Sequence, residues 1–373
     1  QLIGKKPQEG VVMKCIRKVI IILVLLPAAA YCFGFLDAAY SGTAIPGYSA
    51  VSLGLGGVRS IGLKDGSSTL TNPAGLARGA GTRFSLAIGP GIGNESVLDS
   101  LGEDENNWIS FGNLFAGARF RMTPNLCLGL ALAKISDFSY KGTHYTYEFG
   151  MQTELTKIRK LKVSGGAYES ALGLSYTPAG WLNLGFSAGM RFGSASYDST
   201  YEDVIDPDND TTLTWEKELD GFSWHAGIEF PFTAGLAGVS LASETDYCAS
   251  LLAAGGILYL DDNRRGGIGG ELELVDPGGN NAYNARIFAD FYPSDSFEIR
   301  SALFFGDPAY ENIETELSKG FSIGTGIHLG NVVLNGGVSW TSSSRDSLTI
   351  GGGSPDDISS SQALLSLGLD WEL

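Results

Sequence analysis

The sequence has little cysteine and histidine, and this shortage excludes several kinds of functional site. It contains four cysteines and three histidines in 373 residues. Cys127 and Cys248 are the cysteines outside the N-terminal 34 residues, and neither has a partner at zinc-ligand spacing, so we expect two isolated thiols. The histidines lie far apart, without HExxH or triad-like spacing; they are His144, His225 and His328. We therefore predict no catalytic residues, no cofactor and no enzyme.

Long apolar runs and an excess of positive charge are also missing. After residue 34, no window of ~18 residues lacks polar interruption, which excludes a membrane-spanning helix. The chain has 25 Lys and Arg against 41 Asp and Glu. This acidic balance argues against a nucleic-acid partner. A chain of this kind crosses a membrane only as a β-barrel, because a closed barrel satisfies its backbone hydrogen bonds internally.

The N-terminus has the pattern of an export signal. A basic cluster that ends at Lys18 precedes an uninterrupted apolar run over 19–26, and small residues follow up to Ala30. We predict that residues 1–34 comprise upstream residues and a signal peptide that begins at Met13. Removing this range, which holds five basic residues and one acidic residue, takes the formal net charge from −16 to about −20.

Glycine and aromatic residues are abundant, and they are arranged with period two. The chain has 52 Gly, 6 Trp, 15 Tyr and 19 Phe. Over 126–133, 182–192, 222–230 and 365–373, large apolar residues alternate with Gly, Ala, Ser and Asn and with sparse charges. A soluble sandwich would carry more Lys, Thr and Glu on its second face. The pattern is typical of strands with one face in lipid and the other in a filled lumen, and it predicts an all-β transmembrane antiparallel β-barrel over 82–373.

Short turns and long polar stretches alternate in the way that such a barrel requires. Turns with Pro or Gly, such as 123–125 and 177–180, separate polar stretches that we interpret as long loops on the other side. These stretches are 91–107, 141–160, 194–212, 306–319 and 342–361. The alternation predicts about fourteen strands. An even number returns both termini to one side, and the glycine-rich region 235–275 leaves twelve strands as an alternative. We place the strands at 82–90, 108–122, 126–140, 161–177, 181–197, 213–230, 235–245, 250–260, 266–275, 282–292, 297–306, 319–329, 332–342 and 362–373.

A distinctive stretch over 48–80 lies between the signal peptide and the first strand. Gly56 and Gly57 are followed by Ser67 and Ser68, and then by the sequence Asn-Pro-Ala-Gly-Leu-Ala over 72–77. Proline at position 73 fixes its own φ and disfavours helical backbone at the preceding residue, and the glycine at 75 permits close packing. This pattern resembles the N-terminal region of the FadL family, outer-membrane barrels that carry hydrophobic compounds, and that of PorV-like barrels of a secretion system.

The resemblance implies a hatch over residues 35–81 inside the barrel, with Asn72, Pro73, Ala74 and Gly75 as the hatch or gating residues. It also implies a channel of the bacterial outer membrane for passive uptake of hydrophobic small molecules, such as long-chain fatty acids. In that family the substrate enters from outside and leaves sideways into the bilayer when the hatch rearranges. The partners are then the hydrophobic ligand and outer-membrane lipid. The PorV-like alternative is a shuttle that interacts with secretion-system proteins.

Three cations fall on the predicted lumenal face, namely Arg191, Arg286 and Arg300. In a fatty-acid channel, such cations bind the ligand carboxylate while apolar residues hold its tail. Alternatively, they pair with inward acids such as Asp290 or Glu298. The acidic sequence over 206–210 resembles a calcium loop but lacks its glycine and its bidentate glutamate. We interpret it as a solvated outer loop and predict no metal site.

Overall fold

The computed structural model describes residues 43–99, 102–147, 155–203, 206–245, 248–261, 263–277, 282–306, 318–348 and 356–373. The predicted signal peptide over 1–34 lies outside the described residues, and so do residues 35–42 of the predicted hatch. Among the described residues, no helix is long and apolar enough to cross a membrane.

One antiparallel sheet contains all the strands, and four short helical elements accompany it. The helical elements are α1 (Ala50–Gly54) and the 3₁₀ helices η1 (Gly66–Leu70), η2 (Pro73–Arg78) and η3 (Pro207–Asn209). The strands are β1 (Thr43–Ala44), β2 (Arg83–Asp99), β3 (Gly102–Thr123), β4 (Leu126–Asp137), β5 (Tyr140–Tyr147), β6 (Leu155–Ala179), β7 (Leu182–Asp203), β8 (Thr211–Glu218), β9 (Gly221–Phe232), β10 (Gly235–Ala242), β11 (Leu251–Tyr259), β12 (Gly266–Val275), β13 (Ala282–Ser294), β14 (Phe297–Gly306), β15 (Ser318–Leu329), β16 (Val332–Leu348) and β17 (Asp356–Glu372).

The sheet closes into a barrel of fourteen strands. β17 pairs with β2, and β9 pairs with β10, so the described strands form a continuous ring. β4 and β5 both pair with β6 and occupy one position in the ring, as β8 and β9 do beside β7. The predicted number is confirmed. The region 235–275 contributes β10, β11 and β12, so the twelve-strand alternative is wrong.

The alternation along the strands separates an apolar exterior from a polar lumen, as predicted. On β7, Phe186 and Met190 are exposed, whereas Ser187 and Arg191, each next to one of them in sequence, are buried. The same pattern on β17 exposes Leu367 and buries Ser366. Outward side chains of this size and exposure require an apolar surrounding, whereas the inward ones pack against other parts of the chain.

The long polar stretches that we interpret as loops are largely strand, which corrects the prediction. β2 continues to Asp99, β7 to Asp203 and β16 to Leu348, while β6 begins at Leu155. Beyond the apolar band, which is the zone of exposed apolar side chains on the outer surface, the outward side chains are polar, whereas inward ones such as Leu161, Val163 and Tyr197 stay buried. The alternation of large apolar with small residues therefore stops although the backbone pairing continues. The sequence pattern therefore marks the apolar band rather than the ends of the strands. Of the stretch 306–319, residues 307–317 lie outside the described part of the chain.

Residues 43–82, which we call the lumenal segment, lie inside the barrel. α1 packs against β14 to β17, whereas η1 and η2 pack against β3, β4, β6, β7 and β9 across the ring. Most side chains of the segment are buried, including Leu53, Leu70 and Leu76. The first barrel strand starts at Arg83, next to the boundary at residue 82 that we propose from the sequence.

Candidate functional site

The turn at Asn72 and Pro73 lies at the centre of the lumenal segment. Asn72 has an extended backbone and caps η2, because its Oδ1 accepts a hydrogen bond from the Ala74 N–H at 3.1 Å. Its Nδ2 donates to the carbonyl oxygens of Ser60, within the segment, and of Val239 on β10, the latter at 3.3 Å. One buried side chain thus joins three parts of the structure. The predicted bend is confirmed, and it continues as a 3₁₀ turn that starts at Pro73.

Glycines let the backbone of the segment approach itself and the wall closely. A Cβ added to Gly75 would lie 2.3 Å from the Cα of Gly62, so only glycine fits where the two parts of the segment cross. On the wall, a Cβ on Gly227 of β9 would lie 1.9 Å from Asn72 Oδ1. The lumen is therefore filled to atomic contact at the predicted hatch residues.

Two glutamates of the wall accept backbone hydrogen bonds from the segment. Glu271 on β12 accepts from the N–H groups of Arg59 and Ser60 at 2.8 and 2.6 Å. Glu229 on β9 accepts from the Gly62 N–H at 2.7 Å. Both carboxylates are buried. Charge-assisted hydrogen bonds of this kind are stronger than neutral ones, so they fix the middle of the segment to β9 and β12.

Arg59 extends this attachment through its side chain. Its Nε lies 3.1 Å from Glu273 on β12, and its Nη1 donates to the Tyr48 hydroxyl at 3.2 Å. Burial raises the pKa of the Tyr48 phenol, so the hydroxyl is neutral and accepts this bond. The guanidinium thereby connects two distant points of the segment to one wall strand.

The wall is interrupted between β3 and β4. Their pairing begins at Thr123 and Leu126 and ends at Phe115 and Ala133, and no backbone pairing in the described part of the chain joins residues 102–114 of β3 to β4 or β5. Farther along, side chains connect the two sides, as in the contact of Trp108 with Tyr140 at 5.0 Å between ring centroids. The interruption starts within the apolar band, where Phe111 and Ile109 of β3 are exposed on the outside.

The start of the lumenal segment occupies this interruption. Thr43 and Ala44 pair with Asp137 and Ser136 of β4, and the Ile45 N–H donates to the Ile135 carbonyl at 3.0 Å. The segment therefore supplies a short strand to the β4 edge that β3 leaves unpaired.

Lys134 reaches across the interruption from the β4 side. Its Nζ donates to the Phe111 carbonyl of β3 at 2.6 Å and lies 3.0 Å from Asp137 Oδ1. The lysine thus satisfies a β3 acceptor that a regular strand pair would satisfy with a backbone N–H.

Two concave regions lie near the lumenal segment, one on the outer surface of the barrel and one in the lumen. Outside the barrel, next to the paired part of β3 and β4, an apolar indentation of about 700 Å³ is lined by Leu86, Ala116, Leu132, Leu172 and Met190 among others. Inside, at the end of the barrel with the short turns, a cavity of about 130 Å³ is lined by charged groups of both signs. They include Lys64, Arg78, Arg83, Asp290, Glu298 and Asp370.

The comparisons with known proteins are informative at the level of structure. No family model matches the chain, and no curated protein matches its sequence. A Pseudomonas aeruginosa FadL homologue matches with a TM-score of 0.63 and 11% identity, over 89% of this chain and 99% of that one. The P. putida toluene transporter TodX matches with a TM-score of 0.63, 12% identity and coverages of 88% and 99%. The fold is of the FadL type. The Ralstonia pickettii toluene transporter TbuX has the same fold, with a TM-score of 0.58, 12% identity and coverages of 88% and 99%.

Within this FadL-type barrel, all three predicted arginines face the lumen, but each is already paired. Arg191 donates from Nε to Glu169 at 3.0 Å, and Arg286 donates from Nη1 to Glu271 at 2.6 Å and from Nε to the Gly56 carbonyl at 2.9 Å. Arg300 pairs with Glu298 and lies 3.9 Å from Asp290. They lie on β7, β13 and β14 and pair with different carboxylates. The alternative of pairing with inward acids is observed, and ligand binding by these arginines stays a prediction.

The histidines of the lumen belong to the same ion-pair networks. His225 lies 2.7 Å from Glu169, and His328 lies 3.4 Å from Glu298. The side chain of His144 is outside the described residues. Cys127 and Cys248 are free thiols. In the acidic loop, Asp206 uses its carboxylate to accept from the Asp208 N–H and the Asn209 side chain, and the described residues contain no cluster of three potential metal ligands.

Several residues of the site are missed by reasoning from the sequence. They are the carboxylates Glu229 and Glu271, the cations Arg119 and Lys134, and Arg59 of the segment. Arg119, for example, is fully buried on β3 and donates to the carbonyls of Lys64 and Ala80. The sequence signal that could have identified the residues of the wall strands is a charged residue at an inward position between Gly, Ala and Ser. For Lys134 it is a lysine two positions after Leu132, in the outward register, where lipid disfavours a charge.

Proposed function

We propose that the chain is a channel of the bacterial outer membrane for the passive uptake of hydrophobic small molecules, with residues 35–81 as its hatch, of which the structure describes residues 43–81. Long-chain fatty acids and monoaromatic hydrocarbons are the substrate classes that we expect. The fold likeness to FadL and toluene-transporter structures supports a barrel of this kind, and the observation that carries the proposal is the wall interruption between β3 and β4.

The interruption fits an exit for apolar molecules into the bilayer. It starts within the apolar band, and the apolar indentation of about 700 Å³ lies next to it on the outside. Passage through the short-turn end is opposed by the segment and by the charged cavity of about 130 Å³, because an apolar molecule there would displace water from ionised groups. We therefore propose a sideways route that opens when residues 43–47 leave the β4 edge.

The hatch residues have a defined part in this proposal. Asn72, Pro73, Ala74 and Gly75 form the turn against which the wall glycines pack, so we propose that they hold the closed state. The ion pairs of the lumenal arginines disfavour the binding of a charged substrate, because a ligand carboxylate has to displace a glutamate to reach any of these arginines. We expect neutral hydrocarbons to enter at least as readily as fatty acids.

Uptake into liposomes tests the proposal. Vesicles with the purified barrel, vesicles with the Asn72→Ala variant and empty vesicles are compared with labelled fatty acid and with labelled toluene. We expect both proteins to accelerate uptake, and the variant to be faster because its hatch is held by fewer hydrogen bonds. Equal uptake rates in all three preparations would contradict the proposal. The PorV-like shuttle stays the alternative, and co-purification of large secretion partners from native membranes would favour it.

A further inference from the structure

Three lysines stand together on the outer surface of the barrel, beyond its apolar band. β5 and β6 continue past the aromatic pair of Tyr168 and Phe192, whose rings stack at 5.9 Å. On this extension Lys141, Lys160 and Lys162 are exposed, whereas the alternate residues such as Tyr140, Leu161 and Val163 are buried. The lysines therefore point away from the lumen.

The arrangement of these lysines is electrostatically unfavourable within the protein itself. Lys141 and Lys162 are directly opposite each other on the paired strands, and like charges in that position destabilise a sheet. Lys160 pairs with Glu202. Neither Lys141 nor Lys162 makes an ion pair with any carboxylate in the described ranges, and Asp198, opposite Lys162 on β7, accepts instead from the Thr214 hydroxyl at 3.1 Å.

The surroundings make this cluster unusual for the chain. The formal net charge is −16, and most described cations of the barrel wall face the lumen or the short-turn end. Lys319 of β15 is an exposed outward lysine at the end of the barrel opposite the short turns. The residues paired with it are Phe305 and Ser342, so it has no lysine neighbour across the sheet. Glu202 and Asp198 of β7 stand beside the cluster, but Lys141 and Lys162 remain two adjacent cations without an ion pair among the described residues. An anionic partner that binds both would relieve their repulsion.

The height of the cluster indicates which anion it meets. Lys162 is six residues beyond Tyr168, or about 20 Å along the strand, which at a tilt of about 40° is about 15 Å above the aromatic pair. Phospholipid headgroups extend only about 5 to 8 Å beyond the hydrocarbon. Phosphates carried on the sugars of a glycolipid extend farther, and flexible lysine side chains bend toward them.

We propose that Lys141, Lys160 and Lys162 bind phosphate groups of lipopolysaccharide in the outer leaflet. The proposal rests on the outer-membrane location that the proposed function also requires, but not on transport. Phosphate neutralises the opposed ammonium groups and accepts their hydrogen bonds at the same time.

Binding of purified lipopolysaccharide to the full barrel in a zwitterionic detergent, measured by native mass spectrometry and by titration, tests this surface. We expect the double variant Lys141→Glu/Lys162→Glu to bind at least about tenfold more weakly than wild type, and the affinity of wild type to fall as salt rises. Lys319→Glu, the same type of substitution at a single isolated site, should leave binding unchanged, and Lys141→Arg/Lys162→Arg should retain it.

The choice of probe shows whether the lysines bind the phosphate groups or another part of the glycolipid. Dephosphorylated lipopolysaccharide should bind wild type as weakly as the intact glycolipid binds the double variant, and inorganic phosphate should compete only at high concentration. Equal binding of intact and dephosphorylated forms, or an equal loss in Lys319→Glu, would overturn the proposal. Uptake into liposomes without lipopolysaccharide should be the same for wild type and the double variant, which confirms folding and keeps this test independent of transport. If the double variant does not fold, Lys141→Gln/Lys162→Gln replaces it with the same expected direction.

Discussion

The lumenal segment meets the barrel wall in two different ways. On β9 and β12, intact strands hold its middle with the buried carboxylates Glu229 and Glu271. At the interruption between β3 and β4, its start is held by strand pairing near Ile45. Breaking a buried charge pair costs about 3 to 5 kcal/mol, whereas a neutral backbone hydrogen bond contributes about 1 kcal/mol. The segment is thus fixed firmly on one side and loosely on the other, so we expect motion to begin at residues 43–47.

The largest effect is expected from removing the firm attachment. Glu271→Leu leaves two backbone N–H groups and part of the Arg286 charge without an acceptor, so the free energy of unfolding should fall by about 3 to 5 kcal/mol. Urea unfolding in lipid vesicles measures it. Glu218→Leu, at an exposed position of β8, is the matched control and should change it by less than about 0.5 kcal/mol. Equal effects of the two changes would show that the carboxylate does not anchor the segment.

A smaller effect is expected where the wall touches the predicted hatch turn. In Gly227→Ala the new Cβ overlaps Asn72 Oδ1, so the turn has to shift, at a cost of about 1 to 3 kcal/mol. Limited trypsin digestion reports the shift, because Arg59, Lys64 and Arg78 within the segment should become easier to cleave.

Gly336→Ala is the control for that change, since the nearest atom to its added Cβ is Thr325 Cγ2 at 3.7 Å. The control should digest like wild type. A Gly227→Ala protein with an unchanged digestion pattern would contradict the close contact.

The smallest effect is expected at the loose side. Lys134→Met removes the donor to the Phe111 carbonyl across the interruption, a hydrogen bond with a net contribution of about 1 kcal/mol. We expect faster uptake of toluene into liposomes, by a few-fold to about tenfold. The double variant Lys134→Met/Asp137→Asn removes the carboxylate that the single change leaves buried, and it should show the same acceleration with better stability. Slower uptake in both variants would mean that Lys134 does not restrain the exit.

The parts of the fold that follow from the sequence are those with a local cause. Lipid on one face and a packed lumen on the other impose period two, so the strand number and the facing of residues such as Arg191 and Ser366 are predictable. The bend at Asn72 follows equally from the restriction that Pro73 places on its neighbour.

The remaining features depend on contacts between distant residues. The outer ends of β2, β6 and β7 are strand because their partners continue, and polar sequence alone does not reveal this. The carboxylate of Glu271 binds a segment some 210 positions away, and nothing near it in sequence indicates that partner. At Ile135, the edge of β4 could pair either with β3 or with residues 43–45. Which of them pairs depends on the assembled barrel and not on the local sequence.

The most direct measurement of the central claim locks the start of the segment onto β4. Ala44 and Ser136 are paired positions, and the Ile45–Ile135 bond makes theirs a non-hydrogen-bonded pair, with Cα atoms about 4.5 Å apart, close enough for a disulfide. The pair Ala44→Cys/Ser136→Cys is made in a background without Cys127 and Cys248. Ser343→Cys/Ser360→Cys, whose serine oxygens lie 3.2 Å apart on β16 and β17, serves as the matched control. We predict that oxidation abolishes toluene uptake in the first pair, that reduction restores it, and that the control pair transports equally in both states. Undiminished uptake by the fully oxidised first pair would contradict a sideways exit opened by residues 43–47.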